Sequence, residues 1–221
     1  LAGEVKRVHL EDEVLETRTV IFSTGSAYRK LGLEEEDKYS GHGVSYCATC
    51  DGFFFRDQDI IVVGGGDSAM EEATFLTTFA KSVTVVHRLD ELRASAAMAK
   101  RALENPKINF AWNSRVSALH GEGALESVTL TDTVTGQTRE LEATGLFVAI
   151  GSSPRSELVR DQLELDAAGY VVVSHPSTRT NIPGVFACGD VADPTYRQAI
   201  TAAASGTRAA LDAQHYLAEL N

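Results

Sequence analysis

Apolar positions fall into short blocks along the chain, and changes in their spacing mark the expected elements. Val5, Val8, Leu10 and Val14 alternate weakly before the run Val20-Ile21-Phe22. Residues 1–24 are therefore expected to form short antiparallel strands that deliver the chain to Thr24-Gly25. Residues 29–43 are polar and contain the acidic cluster Glu34-Glu35-Glu36-Asp37, which reads as a solvated connector. Ile60-Ile61-Val62-Val63 has no polar position, the pattern of a parallel strand buried on both faces. Gly64-Gly65-Gly66 then turns the chain, and Ala69, Ala73, Leu76 and Ala80 recur at helical spacing. Val83-Thr84-Val85-Val86 completes a strand–turn–helix–strand unit.

Further along, the pattern predicts a helix over 94–103 and a strand over 108–112. Segments 125–131 and 139–143 form a hairpin joined across Thr135-Gly136. Residues 146–150 read as a buried strand that ends at the boundary Gly151-Ser152-Ser153-Pro154. Strands are expected at 171–173 and 185–188, and an alanine-rich helix from about Gln198. The sum is an α/β fold with at least one parallel sheet.

The 221 residues are 43% hydrophobic and 23% charged, the balance of a soluble globular protein. With 20 basic and 31 acidic residues the net charge is −11, which disfavours nucleic acid or an anionic membrane as the main partner. No apolar run is long enough to span a bilayer. Leu1-Ala2-Gly3-Glu4 lacks the features of a secretory signal, so a cytoplasmic setting is expected. Three cysteines are too few for a disulfide-stapled scaffold, yet two of them form Cys47-Ala48-Thr49-Cys50.

Gly64-Gly65-Gly66-Asp67-Ser68-Ala69 fits G-x-G-x-x-A between a strand and a helix, the context a dinucleotide loop requires. Gly64 permits the turn, Gly66 admits a diphosphate to the backbone, and Ala69 lets helix and strand pack. The helix start near Ser68 offers free amides to the anion. The plainer reading is a glycine turn serving only the strand–helix junction. At the end of the second strand stand His87-Arg88, with Arg93 beyond, where an acidic residue would select an unphosphorylated ribose. Two guanidinium groups suit a 2′-phosphate, so NADPH is expected over NADH. Ordinary solvated arginines are the alternative.

The cysteine pair can close a small-ring disulfide that accepts two electrons, after which a thiolate can attack a partner's disulfide. Asp51, next in sequence, is placed to move the accompanying proton. Zinc would need further ligands at fixed spacing, which Cys188, His42, His87 and His120 do not provide. An inert structural pair leaves Asp51 unexplained. Nicotinamide and dithiol need a converter between hydride and sulfur, and flavin is the usual one. A candidate flavin site is the strand entering Gly189-Asp190 and the helix opening at Arg197-Gln198-Ala199.

With Asp51-Gly52-Phe53-Phe54 after the dithiol, Phe147-Val148-Ala149-Ile150-Gly151, and Gly189-Asp190-Val191 before Arg197-Gln198-Ala199-Ile200, these motifs run in order over almost the whole chain. In this the chain resembles the low-molecular-weight, bacterial-type thioredoxin reductases. The resemblance implies the two-domain pyridine-nucleotide disulfide reductase fold, with an NADPH domain (30–152) inserted into an FAD domain (1–29 and 153–221). It implies Cys50 as the thiol nearer the flavin, Cys47 as the one exchanging with thioredoxin, and Asp51 as acid–base. It places cofactor contacts at the glycine loop, at His87, Arg88 and Arg93, at Ile150 and Gly151, and at Gly189, Asp190, Arg197, Gln198 and Ala199. A homodimer and a domain rotation are also implied. Two departures stand out. The family's N-terminal flavin-binding βαβ unit has no counterpart, so the chain is expected to be the C-terminal two-thirds of a reductase; and Leu89 replaces a further arginine.

For the remaining residues the expectations are plain: Cys188 is a small buried hydrophobe, Trp112 and Phe53–Phe55 are packing residues, with shielding of the dithiol the alternative for the Phe triplet that follows it, and His215 is solvated. The run of alanines in 199–213 serves close helix packing or a dimer surface. A nucleotide-binding module without turnover and a ferredoxin–NADP reductase are the alternative functions.

Overall fold

The computed structural model describes residues 1–220. In chain order the strands are β1 (Lys6–His9), β2 (Val14–Thr17), β3 (Val20–Phe22), β4 (Ser26–Tyr28) and β5 (Val44–Ser45). Then come helix α1 (Ala48–Asp51), β6 (Asp59–Val63), α2 (Asp67–Leu76), β7 (Ser82–Val86) and α3 (Ala96–Leu103). They are followed by β8 (Ile108–Ala111), β9 (Ser114–His120), β10 (Ser127–Asp132), β11 (Thr138–Glu142) and β12 (Gly145–Val148). The chain closes with β13 (Ser152–Pro154), β14 (Val185–Ala187) and α4 (Ala199–Glu219). Two compact units result, one of residues 1–27 with 152–221, the other of residues 28–151.

The 28–151 unit is built on a five-stranded parallel sheet in the order β5-β12-β6-β7-β8. Its strands are apolar at successive positions because both faces are covered. Ile60 and Val62 join Val83, Val85 and Phe147 under α2 and α3, against Ala69, Met70, Ala73 and Leu76. Ile61 and Val63 face the other way, against Val116, Leu119, Val128 and Leu130 of the antiparallel sheet β11-β10-β9. Each such side chain contributes on the order of 1.5–3 kcal/mol by leaving water.

The pattern missed β9 for a local reason. Pairing with β10 shifts register between Thr129 and Leu130, so Ala118 faces Thr129 while Val116 faces Leu130. Ser117 is the extra residue, and the bulge destroys the period-two alternation. Helix α2 stops at Leu76 rather than Ala80, with β-branched Thr77 at its C-cap. Within the connector, Glu36 is 1% exposed rather than solvated; its carboxylate accepts from the Leu31 and Gly32 amides and from the Tyr46 hydroxyl.

In the other unit β1 and β2 form an antiparallel hairpin and β4 pairs with β13. β3 runs parallel to β14, not antiparallel to its sequence neighbours. The strand expected at 171–173 is absent. Only an isolated antiparallel bridge, Val171 with Leu165, forms; Val171 also donates to Val191 and Ser174 to Arg179, so the pairing does not extend into a ladder. Helix α4 covers β14 through Ala209 and Ala213, which close on Phe186 and Cys188.

Candidate active site

β6 delivers the chain to the glycine turn, and each glycine there answers a different constraint. Gly64 has φ +150°, and a Cβ on it would lie 2.5 Å from the Ala149 carbonyl oxygen and 2.7 Å from the Ala69 Cβ. A Cβ on Gly65 would enter the His87 ring, 2.2 Å from Cε1. Around Gly66 there is no atom within 4 Å of that position, and its backbone is extended (φ −95°, ψ −177°) as the N-cap of α2. Neither fold nor backbone demands glycine there. The open space sits where the first amides of a ten-residue helix emerge, which is what an approaching diphosphate requires. Ser68 is exposed in this first turn, while Ala69 is fully buried against Gly64.

The segment after β7 is fastened to this loop. The Arg93 amide donates to the Gly65 carbonyl at 2.8 Å, and the Ser95 amide to Asp67 Oδ1 at 2.7 Å. Asp67 thus holds the loop that carries the arginines. On the other side, the Asn113 amide donates to Leu89 and the Thr133 hydroxyl to the Arg88 carbonyl. Arg88 and Arg93 are exposed on this braced segment. Two guanidinium groups so placed pay little ordering entropy when they meet a phosphate.

His87 does not join them at the surface. It is 6% exposed, and its Nε2 has no hydrogen-bond partner. Burial pushes its pKa below the ordinary histidine value, opposed by a bond to the Glu91 backbone and aided by Arg93 and Arg88. The lowered value favours the neutral ring at pH 7, and that ring lies directly beneath the loop at Gly65. The unfolded chain takes up a proton near pH 6.5 and the folded chain only at lower pH. Its stabilising contribution is complete above that range and is lost as pH falls towards the depressed value. Urea midpoints are expected to drop between pH 7 and 5, and to drop less in a His87→Gln variant; equal slopes would remove His87 as the cause.

The dithiol follows the end of β5 by two residues. Cys47 and Cys50 are joined in a disulfide with Cα atoms 5.3 Å apart, spanning the single turn of α1. The Cys50 amide donates to Cys47 Sγ at 3.2 Å. Cys50 is exposed and Cys47 half-buried. A Cβ on Gly52 would stand 2.8 Å from a Leu76 methyl, so glycine lets this turn pack on α2 without displacing that side chain. The Ser45 hydroxyl donates to Asp51 Oδ2 at 2.6 Å and also accepts from the Cys47 amide at 3.1 Å. Ser45, 4% exposed, is a site residue that the sequence pattern did not single out. Phe53 and Phe54 are 60% and 73% exposed beside the disulfide, with Phe53 edge-on to Phe79, while Phe55 packs edge-on to Phe147. Cys188, the third cysteine, is buried, and burial pushes its thiol pKa up, which leaves it unreactive.

Over residues 2–206 the chain matches the family model described as pyridine nucleotide-disulphide oxidoreductase. It is 64% identical to the thioredoxin reductase of Streptomyces clavuligerus, over all of this chain and 69% of that protein. The chain belongs to the thioredoxin reductase family. A solved thioredoxin reductase from Streptococcus pyogenes MGAS5005 superposes with a TM-score of 0.94 at 44% identity, covering 99% of this chain and 72% of that one. The bifunctional thioredoxin reductase/thioredoxin of Mycobacterium leprae is 53% identical over 99% of this chain and 48% of its own length. Thioredoxin reductases are FAD- and NADPH-dependent oxidoreductases, and these relatives do not favour the module or ferredoxin–NADP readings.

The chain's residues fit both groups. The open position at Gly66 and the braced arginines suit NADPH. For FAD, Gly189 has φ +71° and its amide donates to Ser205 at 2.9 Å, which sets the Gly-Asp turn beside the start of α4. Asp190 accepts from Ser26 at 3.5 Å, and Gln198 caps α4 in a reciprocal pair with Thr201. Arg197 has φ +49°, and its backbone is held there by Asp193, which accepts from the Thr195, Tyr196 and Arg197 amides. Burial pushes the Asp193 carboxyl up, but these bonds outweigh it and the net pKa is lowered. Ala199 begins α4 exposed. A cleft of about 510 Å³ opens beside this turn, lined by Cys188, Gly189, Asp193, Tyr196 and Ser205 among others. Ile150 and Gly151 follow β12; Gly151 (φ +100°) accepts from the Arg29 amide at 3.0 Å.

Proposed function

We propose that this chain passes electrons from NADPH through FAD to the Cys47–Cys50 disulfide and on to thioredoxin. The observation that carries it is topological. The open glycine cradle follows β6 and the disulfide follows β5, two strands of one parallel sheet, and in such sheets ligands gather at the strands' carboxyl ends. NADPH is assigned to residues 30–152, held by Gly64, Gly66, Asp67, Ser68 and Ala69, by Arg88 and Arg93 over His87, and by Ile150 and Gly151. FAD is assigned to residues 1–29 and 153–221, held by Gly189, Asp190, Arg197, Gln198 and Ala199. Flavin, when bound, turns the nicotinamide's hydride into the electron pair that sulfur accepts.

On the chain's side, two electrons and two protons convert the disulfide to two thiols, with Asp51, oriented by Ser45, handling a proton at sulfur. Cys47 thiolate then attacks the partner's disulfide and one partner sulfur leaves as thiol. Cys50 attacks the mixed disulfide, the second partner thiol is released, and the Cys47–Cys50 bond re-forms. Phe53 and Phe54 give an exposed aromatic shelf beside the reacting sulfurs, with the Arg56 guanidinium 5.2 Å from the Phe53 ring, a surface suited to a partner protein. The Mycobacterium leprae relative, named a bifunctional thioredoxin reductase/thioredoxin, supports that partner. The reading also includes a cytoplasmic setting, where dithiols stay reduced, and a homodimer through the exposed side of α4, where Ile200 is 77% and Leu211 49% exposed. Among the described residues no helix is long and apolar enough to cross a membrane.

The test is a thiol count on the FAD-loaded chain before and after anaerobic NADPH, with light scattering on the same sample. About two new thiols per chain, at Cys47 and Cys50, and the mass of two chains are expected. An unchanged thiol count sinks the electron route, and the mass of one chain sinks the dimer.

A further inference from the structure

Resting on the NADPH reading above, we infer that Trp112 is the wall on which the adenine base of the nucleotide stacks. β7 and β8 are parallel, with Val85 beside Phe110 and Val86 beside Ala111, so His87 and Trp112 emerge next to each other at the same edge. The His87 amide donates to Ala111 and the Ser114 amide to His87, which holds the two ends together beyond the strands. Residues two apart on a strand share a face. Val85 and Phe110 pack with the α2 side of the sheet, which puts His87 and Trp112 on the side that carries the glycine loop.

Three contacts then run across the sheet edge. The His87 ring fills the side-chain space of Gly65. Trp112 stands edge-to-face to His87 at 6.5 Å, and Phe110 lies parallel under Trp112 at 4.7 Å and 5°. From β6 to β8 the order is phosphate cradle, arginine-bearing turn, indole. A dinucleotide lying over such an edge extends in the same order from diphosphate through ribose to base. One indole face is thus supported by Phe110, and Trp112 remains partly exposed. The brace that fixes the arginines passes through its neighbour, since the Asn113 amide donates to Leu89 and the Thr133 amide to Asn113. A rigid ring with one covered face is a stacking platform for a purine, and such stacking changes affinity by roughly 5- to 150-fold per base.

Trp112 is the chain's one tryptophan, so its fluorescence reports this position alone. The probe is adenosine 2′,5′-bisphosphate, titrated into the full chain with calorimetry in parallel. Binding that quenches the emission, a Kd raised about tenfold in Trp112→Ala, and near-normal affinity in Trp112→Phe are the expected results. Binding by calorimetry with unchanged emission, or equal affinity in Trp112→Ala, overturns the stacking role and leaves the NADPH reading intact. No calorimetric binding to the unaltered chain overturns the NADPH reading itself. Because Trp112→Phe keeps a ring over Phe110, loss of folding in the alanine variant still leaves the quench and the phenylalanine affinity to decide.

Discussion

Serine at either cysteine of the redox pair is expected to cut thioredoxin reduction by more than about 1,000-fold while the flavin-loaded protein still oxidises NADPH with ferricyanide. A hydroxyl cannot share a disulfide, so neither variant can hold the electron pair at sulfur. The artificial oxidant needs no sulfur at all. The two variants should differ in what they trap. If Cys47 is the exchanging thiol, Cys50→Ser accumulates a mixed disulfide with thioredoxin, because no second thiol resolves it, and Cys47→Ser accumulates none. Non-reducing electrophoresis with mass analysis reads this directly. Trapping by Cys47→Ser alone would exchange the two roles, and full thioredoxin turnover in either variant would remove the dithiol from the pathway. The structure adds a reason for the pair's placement. Gly52 lets the cysteine turn press on Leu76 of α2, so the disulfide rides on the sheet–helix core rather than on a free loop.

What the sequence displayed and what it hid follow different physics. The βαβ unit was legible because burial of β6 and β7 on both faces leaves no polar position to confuse the pattern, and because the glycine turn is short-range chemistry. The dithiol was legible for the same reason: two cysteines three apart need nothing distant. By contrast, β9 was hidden by its bulge, and the 171–173 segment read as a strand because valine content says nothing about partners. Site residues that act through distant neighbours were equally opaque. Ser45 is an unremarkable serine until its hydroxyl is seen on Asp51. Glu36 looked like one of four solvated acids, yet it ties Leu31, Gly32 and Tyr46 together directly before the redox turn. Burial raises the Tyr46 hydroxyl pKa, and its bond to Glu36 raises it further, so it stays a donor across the physiological range. His87 was expected among the cofactor contacts from its place beside Arg88, and nothing in the local sequence shows that its ring is buried under Gly65.

Valine at Gly66 is expected to leave the fold intact and to weaken nucleotide binding by about 100-fold or more. The three adjacent glycines differ in what a side chain would meet. At Gly64 a methyl group meets the Ala149 carbonyl and Ala69 in a backbone region closed to L side chains, and at Gly65 it meets the His87 ring; alanine at either should lower stability by several kcal/mol through strain and overpacking. At Gly66 the backbone is already extended, an added Cβ meets nothing within 4 Å, and losing a glycine N-cap costs about 1 kcal/mol or less. An isopropyl group there grows from an open position at the N-cap of α2, where a ligand would approach the helix's free amides. A diphosphate held away from those amides loses several charge-assisted hydrogen bonds, each worth about 1.5–3 kcal/mol. Calorimetry with NADP and a urea melt on the same three variants separate the cases: Gly64→Ala and Gly65→Ala shift the melt, and Gly66→Val shifts only the affinity. A Gly66→Val protein that binds NADP normally would mean that the anion does not approach the chain at this turn.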